Sequence, residues 1–186
     1  MRLIANISIL LSITIASCTD IYFVEPQPKG VKPLDNGFEE LIGEYVSFDS
    51  NSDPDDTIIV TKDRIVFPND EEMEDEFGEI IVVKKFRSHY FINFFDGDKD
   101  LWQLVVVQID ENKSLEVTNL ISVGEDEAKE LTKKRFAKKV GGEEEGDGED
   151  EDEYIIMNPS KRQLMKLINY PIFDENKMNL NRIKIK

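Results

Sequence analysis

The chain has 186 residues and carries 39 acidic against 23 basic side chains, which gives a formal net charge of −16 at pH 7. So large a negative charge repels the phosphates of nucleic acids and of anionic lipid headgroups, and it excludes both as partners held by electrostatic attraction. The single cysteine leaves no intrachain disulfide, so the fold must be held together by its own packing.

The N-terminal segment has the organisation of a signal peptide. Arg2 provides a short basic start, a mostly apolar run covers residues 3–15, and small Ala16 and Ser17 end the run. A membrane-spanning helix needs roughly 20 apolar residues, so this run is too short to serve as an anchor. We therefore predict that residues 1–17 are a signal peptide that is removed.

The tetrapeptide Ile15-Ala16-Ser17-Cys18 resembles the lipobox of bacterial lipoprotein precursors. The resemblance covers residues 1–18 and implies that a diacylglycerol is attached to the Cys18 thiol, that the chain is cut before Cys18, and that the new N-terminus can be acylated again. It also implies a lipid anchor in a membrane of the bacterial cell envelope, with the outer membrane favoured. The alternative is a secreted protein that a general signal peptidase releases with an unmodified cysteine.

Residues 18–37 contain three prolines and two glycines, which interrupt regular structure and predict a lipid-anchored tether. Four consecutive apolar residues at positions 21–24 are unusual for a free linker. They leave open whether the segment docks on the domain or sits in the membrane interface. Residues 38–186 are predicted to form a single β-rich domain.

Alternating apolar and polar residues predict a series of β-strands between positions 43 and 121. Short polar connections such as Asp96–Asp100 and Asp110–Lys113 predict that these strands form an antiparallel meander. The predicted strands are Gly43–Phe48, Thr57–Thr61, Arg64–Phe67, Glu79–Phe86, Tyr90–Phe95, Leu101–Ile109 and Leu115–Ile121.

The two central runs of this meander carry apolar side chains on both faces, which is typical of strands that are covered on both sides. A C-terminal helix that begins at Pro159 and Ser160 and ends before Pro171 would supply the cover. The predicted fold is therefore mainly β, a β-rich α+β fold in which an antiparallel meander or small barrel carries a C-terminal helix. The last stretch, residues 180–185, is predicted to be an edge strand whose cationic side chains prevent pairing with other strands.

Two interpretations stay open for residues 125–140. Acids at positions 125–127 precede a basic run, an order that suits the dipole of a helix ending at Gly141 and Gly142. Alternatively, Phe136 and Val140 lie on a strand that pairs with residues 154–157.

From position 143 to position 153 every residue except two glycines is acidic. Self-repulsion and the lack of apolar groups predict a disordered loop at residues 143–153. The basic run at residues 133–139 could bind phosphate or lipopolysaccharide, but the acidic loop is the nearest anion, and internal charge complementarity is the favoured interpretation.

No metal, cofactor or catalytic site is predicted. Residues 49–55 alternate like the start of an EF-hand loop, but Pro54 and Val60 stand where that loop needs glycine and glutamate. The turn at Asp96–Asp100 is too short for such a loop. His89 is the only histidine, which leaves a zinc site or a Ser-His-Asp triad without the other residues that it requires.

The sequence Gly43-Glu44-Tyr45, the run of hairpins and the late helix together resemble a lipocalin, a family that usually has Trp where Tyr45 stands. The resemblance implies a barrel, and no ligand follows from it. A small barrel can instead be filled by its own side chains, and the eleven Phe favour that interior. The candidate ligand-lining or core residues are Tyr45, Tyr90, Phe91, Phe94 and Trp102.

These observations favour a lipid-anchored cell-envelope protein that acts as a non-catalytic binding or structural module. Its partners would be the membrane, through acyl chains on Cys18, and either an envelope protein or an apolar small molecule; nucleic acid is not among them. The alternative is a lipid-anchored hydrolase that uses a pair of carboxylates, which leaves no local sequence signature.

Overall fold

The structure is a computed structural model, and it describes residues 18–35, 39–47, 57–61, 64–66, 75–76, 80–140, 154–174 and 176–183. The predicted signal peptide and the predicted disordered loop at 143–153 lie outside these ranges. The helices and strands are β1 (Cys18–Phe23), β2 (Gly43–Ser47), β3 (Ile58–Val60), β4 (Arg64–Val66), β5 (Asp75–Glu76), β6 (Ile81–Phe86), β7 (His89–Asp96), β8 (Leu101–Ile109), β9 (Leu115–Asn119), β10 (Ser122–Gly124), α1 (Glu125–Lys133), β11 (Ala137–Val140), β12 (Tyr154–Met157), α2 (Lys161–Leu167), a 3-10 helix (Pro171–Phe173) and β13 (Lys177–Arg182).

The described strands form one mixed sheet whose order is β11-β12-β1-β8-β9-β13-β2-β3-β4-β5, with β7 and β6 added to β8 and β10 added to β1. The β-rich α+β fold is confirmed, and β6 to β9 form the predicted antiparallel meander. Two details differ from the prediction. The pair β1 and β12 is parallel, and the order of the described strands runs from β11 to β5 without returning on itself, so the sheet is not a closed barrel.

The meander is buried on both faces, as its sequence predicts. On one face Phe91, Leu104 and Val106 pack with helices α1 and α2, and α2 contributes Leu164 and Leu167. On the other face Tyr90, Ile92 and Val107 pack against residues of β2, β3, β4 and β13. We call these the helix-side core and the sheet-side core. The C-terminal helix is therefore the predicted cover.

Helix α2 begins where the sequence predicts because Ser160 and Gln163 form a capping box. The Gln163 amide donates to Ser160 Oγ over 3.4 Å, and the Ser160 amide donates to Gln163 Oε1 over 2.9 Å. These contacts satisfy amide groups that the first turn of a helix leaves without intrahelical partners. From this start, α2 places Leu164 and Leu167 in the helix-side core.

Residues 125–140 combine both interpretations that the sequence left open. Residues 125–133 are helical, with Ala128 and Leu131 buried, and β11 then pairs antiparallel with β12. The change of direction occurs at Arg135, which adopts φ of +60°. The predicted C-terminal edge strand is wrong as to its position: β13 lies between β9 and β2 and is paired on both sides. Polar residues in β13 do not require an edge, because Leu180 alone is buried in this strand and the neighbouring Met178 and Asn179 are exposed although the backbone is paired.

Candidate functional site

Cys18 is the first residue of β1, and its side chain is exposed with a free thiol. It lies opposite Gly124 of β10, and the next residue, Thr19, is only 2 % exposed. The sulfur is thus accessible to a modifying group. The backbone that follows it is held in the sheet from the next residue onward.

Both edges of β1 are paired. Residues 18–20 pair with β10 and Phe23 lies opposite Trp102 of β8, while the other edge pairs in parallel with β12 over residues 20–23. Ile21 and Phe23 are fully buried in the helix-side core. The segment that the sequence suggests as a tether is therefore part of the folded body, because its apolar residues complete the sheet.

The chain continues from β1 into residues 24–34, which we call the strap. Asn93, fully buried in the middle of β7, accepts a hydrogen bond from the Gln27 amide over 2.6 Å and donates to the Gln27 carbonyl over 2.9 Å. Lys84 of β6 donates to the Pro26 carbonyl over 2.5 Å, and the Leu34 amide donates to the Val83 carbonyl over 2.8 Å. The strap is therefore fixed across β6 and β7.

Asn93 and Lys84 were not predicted as structural residues, although the sequence carries a signal for Asn93. Asn93 is the only polar residue between Tyr90 and Phe95, in a run predicted to be buried on both faces. A polar group in such a place needs hydrogen-bond partners, and here the strap provides them. Burial lowers the pKa of Lys84, and its ammonium group is held by carbonyl oxygens of the strap.

The five aromatic residues predicted to line a pocket or form the core do not converge on one space. Tyr45 and Tyr90 are buried in the sheet-side core, with Phe94 packed against it. Phe91 is buried in the helix-side core, with Trp102 packed against that core and 4.9 Å from Phe95 between ring centroids. The candidates therefore lie on opposite faces of the meander.

A charged cluster of Glu40, Lys85 and Tyr90 lies at the border of the sheet-side core. Lys85 donates to both carboxylate oxygens of Glu40 over 2.8 Å and to the Tyr90 hydroxyl over 2.7 Å, and Tyr90 also donates to Glu40. Hydrogen bonds from Lys85 and Tyr90 lower the pKa of Glu40, whereas burial raises the pKa of Tyr90. At neutral pH Lys85 and Glu40 form an ion pair, and with Tyr90 they connect the turn around Glu40 to β6 and β7.

A second polar cluster lies at the other end of β7. The Tyr22 hydroxyl donates to Asp96 Oδ2 over 2.9 Å, and Asp96 Oδ1 accepts the amides of Asp98 and Lys99 over 3.0 and 3.2 Å. Burial, and secondarily the bond to Asp96, raises the pKa of Tyr22. Asp96 thus orders the β7–β8 turn and holds β1 against it.

His89 is half-buried beside the Phe91 ring, and burial lowers its pKa. Within the described residues, His, Cys, Asp and Glu side chains form no group of three or more that could hold a metal ion. The EF-hand-like residues 49–55 lie outside the described ranges.

Comparison of the chain with protein-family models, with characterised proteins and with solved structures found no match. No helix in the described part of the chain has the length and hydropathy needed to cross a membrane. The described part of the chain is a β-rich α+β protein whose one cysteine is exposed at the start of a strand that has pairing partners on both edges.

Proposed function

We propose that this protein is a lipid-anchored protein of the bacterial cell envelope, with the outer membrane favoured, that acts as a non-catalytic binding or structural module. One observation carries the proposal: the lipobox-like sequence ends at the only cysteine, and that cysteine has an exposed side chain. Each buried methylene contributes about 0.8 kcal/mol, so two or three acyl chains would hold the body at a membrane despite its negative charge.

The partner that we favour for this module is a protein. The aromatic residues that were candidates for lining an apolar pocket are divided between two packed cores on opposite faces of the meander. A pocket for a small apolar ligand needs such residues around one space. Recognition would then take place on the surface of the body.

The anchor is tested by mass spectrometry of the mature N-terminus and by membrane fractionation. We expect a chain that begins at Cys18 and carries acyl chains, and we expect Cys18→Ala to move the protein into the soluble fraction. Ser17→Ala is the matched control, because it keeps a small residue before the cysteine and should leave the protein in the membrane fraction. A mature protein with an unmodified thiol that washes off membranes would refute the anchor.

The choice between a protein partner and an apolar ligand is tested with Trp102, the only tryptophan. Trp102 is half-buried against the helix-side core, so its emission should respond if a fatty acid enters there. We expect no saturable change on titration with fatty acids. A saturable change in emission, at a fatty-acid concentration that the Phe91→Trp substitution alters, would favour the small-ligand function instead.

A further inference from the structure

The lipid attachment point and the folded body are joined without a spacer. β1 begins at Cys18, Thr19 is buried, and residues 18–20 are paired with β10. A flexible linker of n residues separates its ends by about 5–6 Å times the square root of n, and here n is zero. A lipid on the Cys18 sulfur would therefore bring the neighbouring protein surface to the headgroups.

The surface around Cys18 is defined by the residues next to β1 on its two edges. Gly124 lies opposite Cys18, and α1 starts directly after it with exposed Glu125 and Asp126. On the other edge Tyr154 lies beside Asp20.

The charges on this surface are mainly negative. Lys129 forms ion pairs with Glu125 over 2.7 Å and with Asp126 over 3.4 Å, but one ammonium group cannot neutralise both carboxylates. Asp20 and Glu127, whose carboxylate lies beside Gly124, add two more carboxylates, and Lys99, 5.2 Å from the centroid of the Tyr154 ring, adds a second cation. The surface therefore keeps an excess of negative charge. Like charges repel over the Debye length, which is about 8 Å at physiological ionic strength, so anionic headgroups are unfavourable neighbours for this surface.

We infer that the end of the sheet formed by Cys18, Asp20, Gly124, Glu125 and Tyr154 is the membrane-facing surface of the body, and that it rests on zwitterionic rather than anionic headgroups. This inference rests on the proposed lipid anchor and adds an orientation and a headgroup preference to it. On this inference, a protein partner would be bound by other described surfaces of the body.

Energy transfer from Trp102 to a dansyl group on lipid headgroups measures the distance between body and bilayer. Trp102 lies opposite Phe23, five positions along β1 from Cys18. At about 3.3 Å per residue, this spacing places the indole within roughly 17 Å of the anchor along the strand. The acylated protein, purified from membranes, is inserted into phosphatidylcholine vesicles that contain the dansyl lipid.

The matched variant carries twelve Gly and Ser residues inserted between Cys18 and Thr19, which adds a linker with an average span of about 20 Å. We expect transfer in this variant to fall at least twofold below that of the parent protein. We also expect the parent's transfer to decrease when anionic phosphatidylglycerol replaces part of the phosphatidylcholine, and to recover in high salt because salt screens the repulsion.

Equal transfer from the parent and the linker variant, with both proteins folded by circular dichroism, would overturn the inference, as would stronger transfer in anionic vesicles. Failure of the anchor itself is a different result. In that case the parent protein would carry no acyl chain by mass spectrometry and would not float with vesicles at all.

Discussion

Replacing Asn93 with alanine should destabilise the protein more than any other single polar substitution in the meander. Asn93 and Gln27 are both fully buried. The Asn93 side chain accepts a hydrogen bond from the backbone amide of Gln27 and donates one to its carbonyl. The same side-chain amide donates to the carbonyls of Val82 and Phe91 over 3.0 and 3.2 Å. The substitution therefore leaves two backbone groups of the strap without these partners in an interior position.

The expected magnitude follows from those two groups. Each buried backbone group left without a hydrogen bond costs about 1–3 kcal/mol, so the pair gives a loss of about 2–6 kcal/mol in the free energy of unfolding. Water that enters the space left by the amide would bring the value toward about 2 kcal/mol. A domain of this size has a total stability of roughly 5–15 kcal/mol, so the loss is a large fraction of it.

Denaturant unfolding gives the change in stability, and hydrogen exchange gives its location. We expect the amides of Gln27 and Leu34 in the strap to lose protection first, while those of β8 keep it. Asn112→Ala, in the exposed β8–β9 turn, is the matched control and should change stability by less than about 0.5 kcal/mol. A similar small effect for Asn93→Ala, with unchanged exchange in the strap, would refute the assignment of Asn93 as the residue that fixes it.

Three further predictions concern the ends of the helices and the alkaline range. Arg135 adopts φ of +60° at the end of α1, where its amide donates to the Thr132 carbonyl and the Phe136 amide donates to the Leu131 carbonyl. Glycine adopts this angle without strain, so Arg135→Gly should raise the free energy of unfolding by about 1 kcal/mol. A lower thermal unfolding temperature in this variant would contradict the prediction. Ser160→Ala removes the capping box of α2 and should cost about 1 kcal/mol, whereas Ser160→Asp should retain most of it in the same assay. Because the folded-state pKa of Tyr22 lies above its ordinary value of 10.0, its contribution is fully present below that pH and is lost as pH rises toward the folded-state pKa. Denaturant midpoints should therefore fall in this alkaline range, and Tyr22→Phe should make the fall shallower; an unchanged slope would show that Tyr22 does not control it.

The meander could be predicted from the sequence because its residues carry two independent signals. Alternation located the strands, and apolar residues on both faces of β7 and β8 required the cover that α2 provides. Local hydrogen-bonding residues located the start of α2. These signals are short-range, so one sequence is enough to detect them.

The role of β1 could not be predicted, because its partners are distant in the chain. Residues 18, 20 and 23 lie opposite residues 124, 154 and 102, and the prolines that follow β1 are typical of a linker. The strap contains those prolines, yet it is ordered because Asn93 and Lys84 form hydrogen bonds with its backbone groups. The position of Cys18 was visible in the sequence, but its connection to the core was not.

The position of β1 also links the proposed anchor to the order of folding. Every residue that pairs with β1 lies at least 79 positions after its partner in the chain, between Trp102 and Met157. Closing such long loops costs entropy before the contacts form, so β1 and the strap should join the sheet after the β6–β9 meander, whose pairings are local. On the proposed function, β1 would then dock onto a meander that has already formed, and its first residue would be the point of lipid attachment. Asn93 would then affect both the docking of β1 and the position of Cys18, because the contact that fixes the strap also keeps β1 and its cysteine against the body.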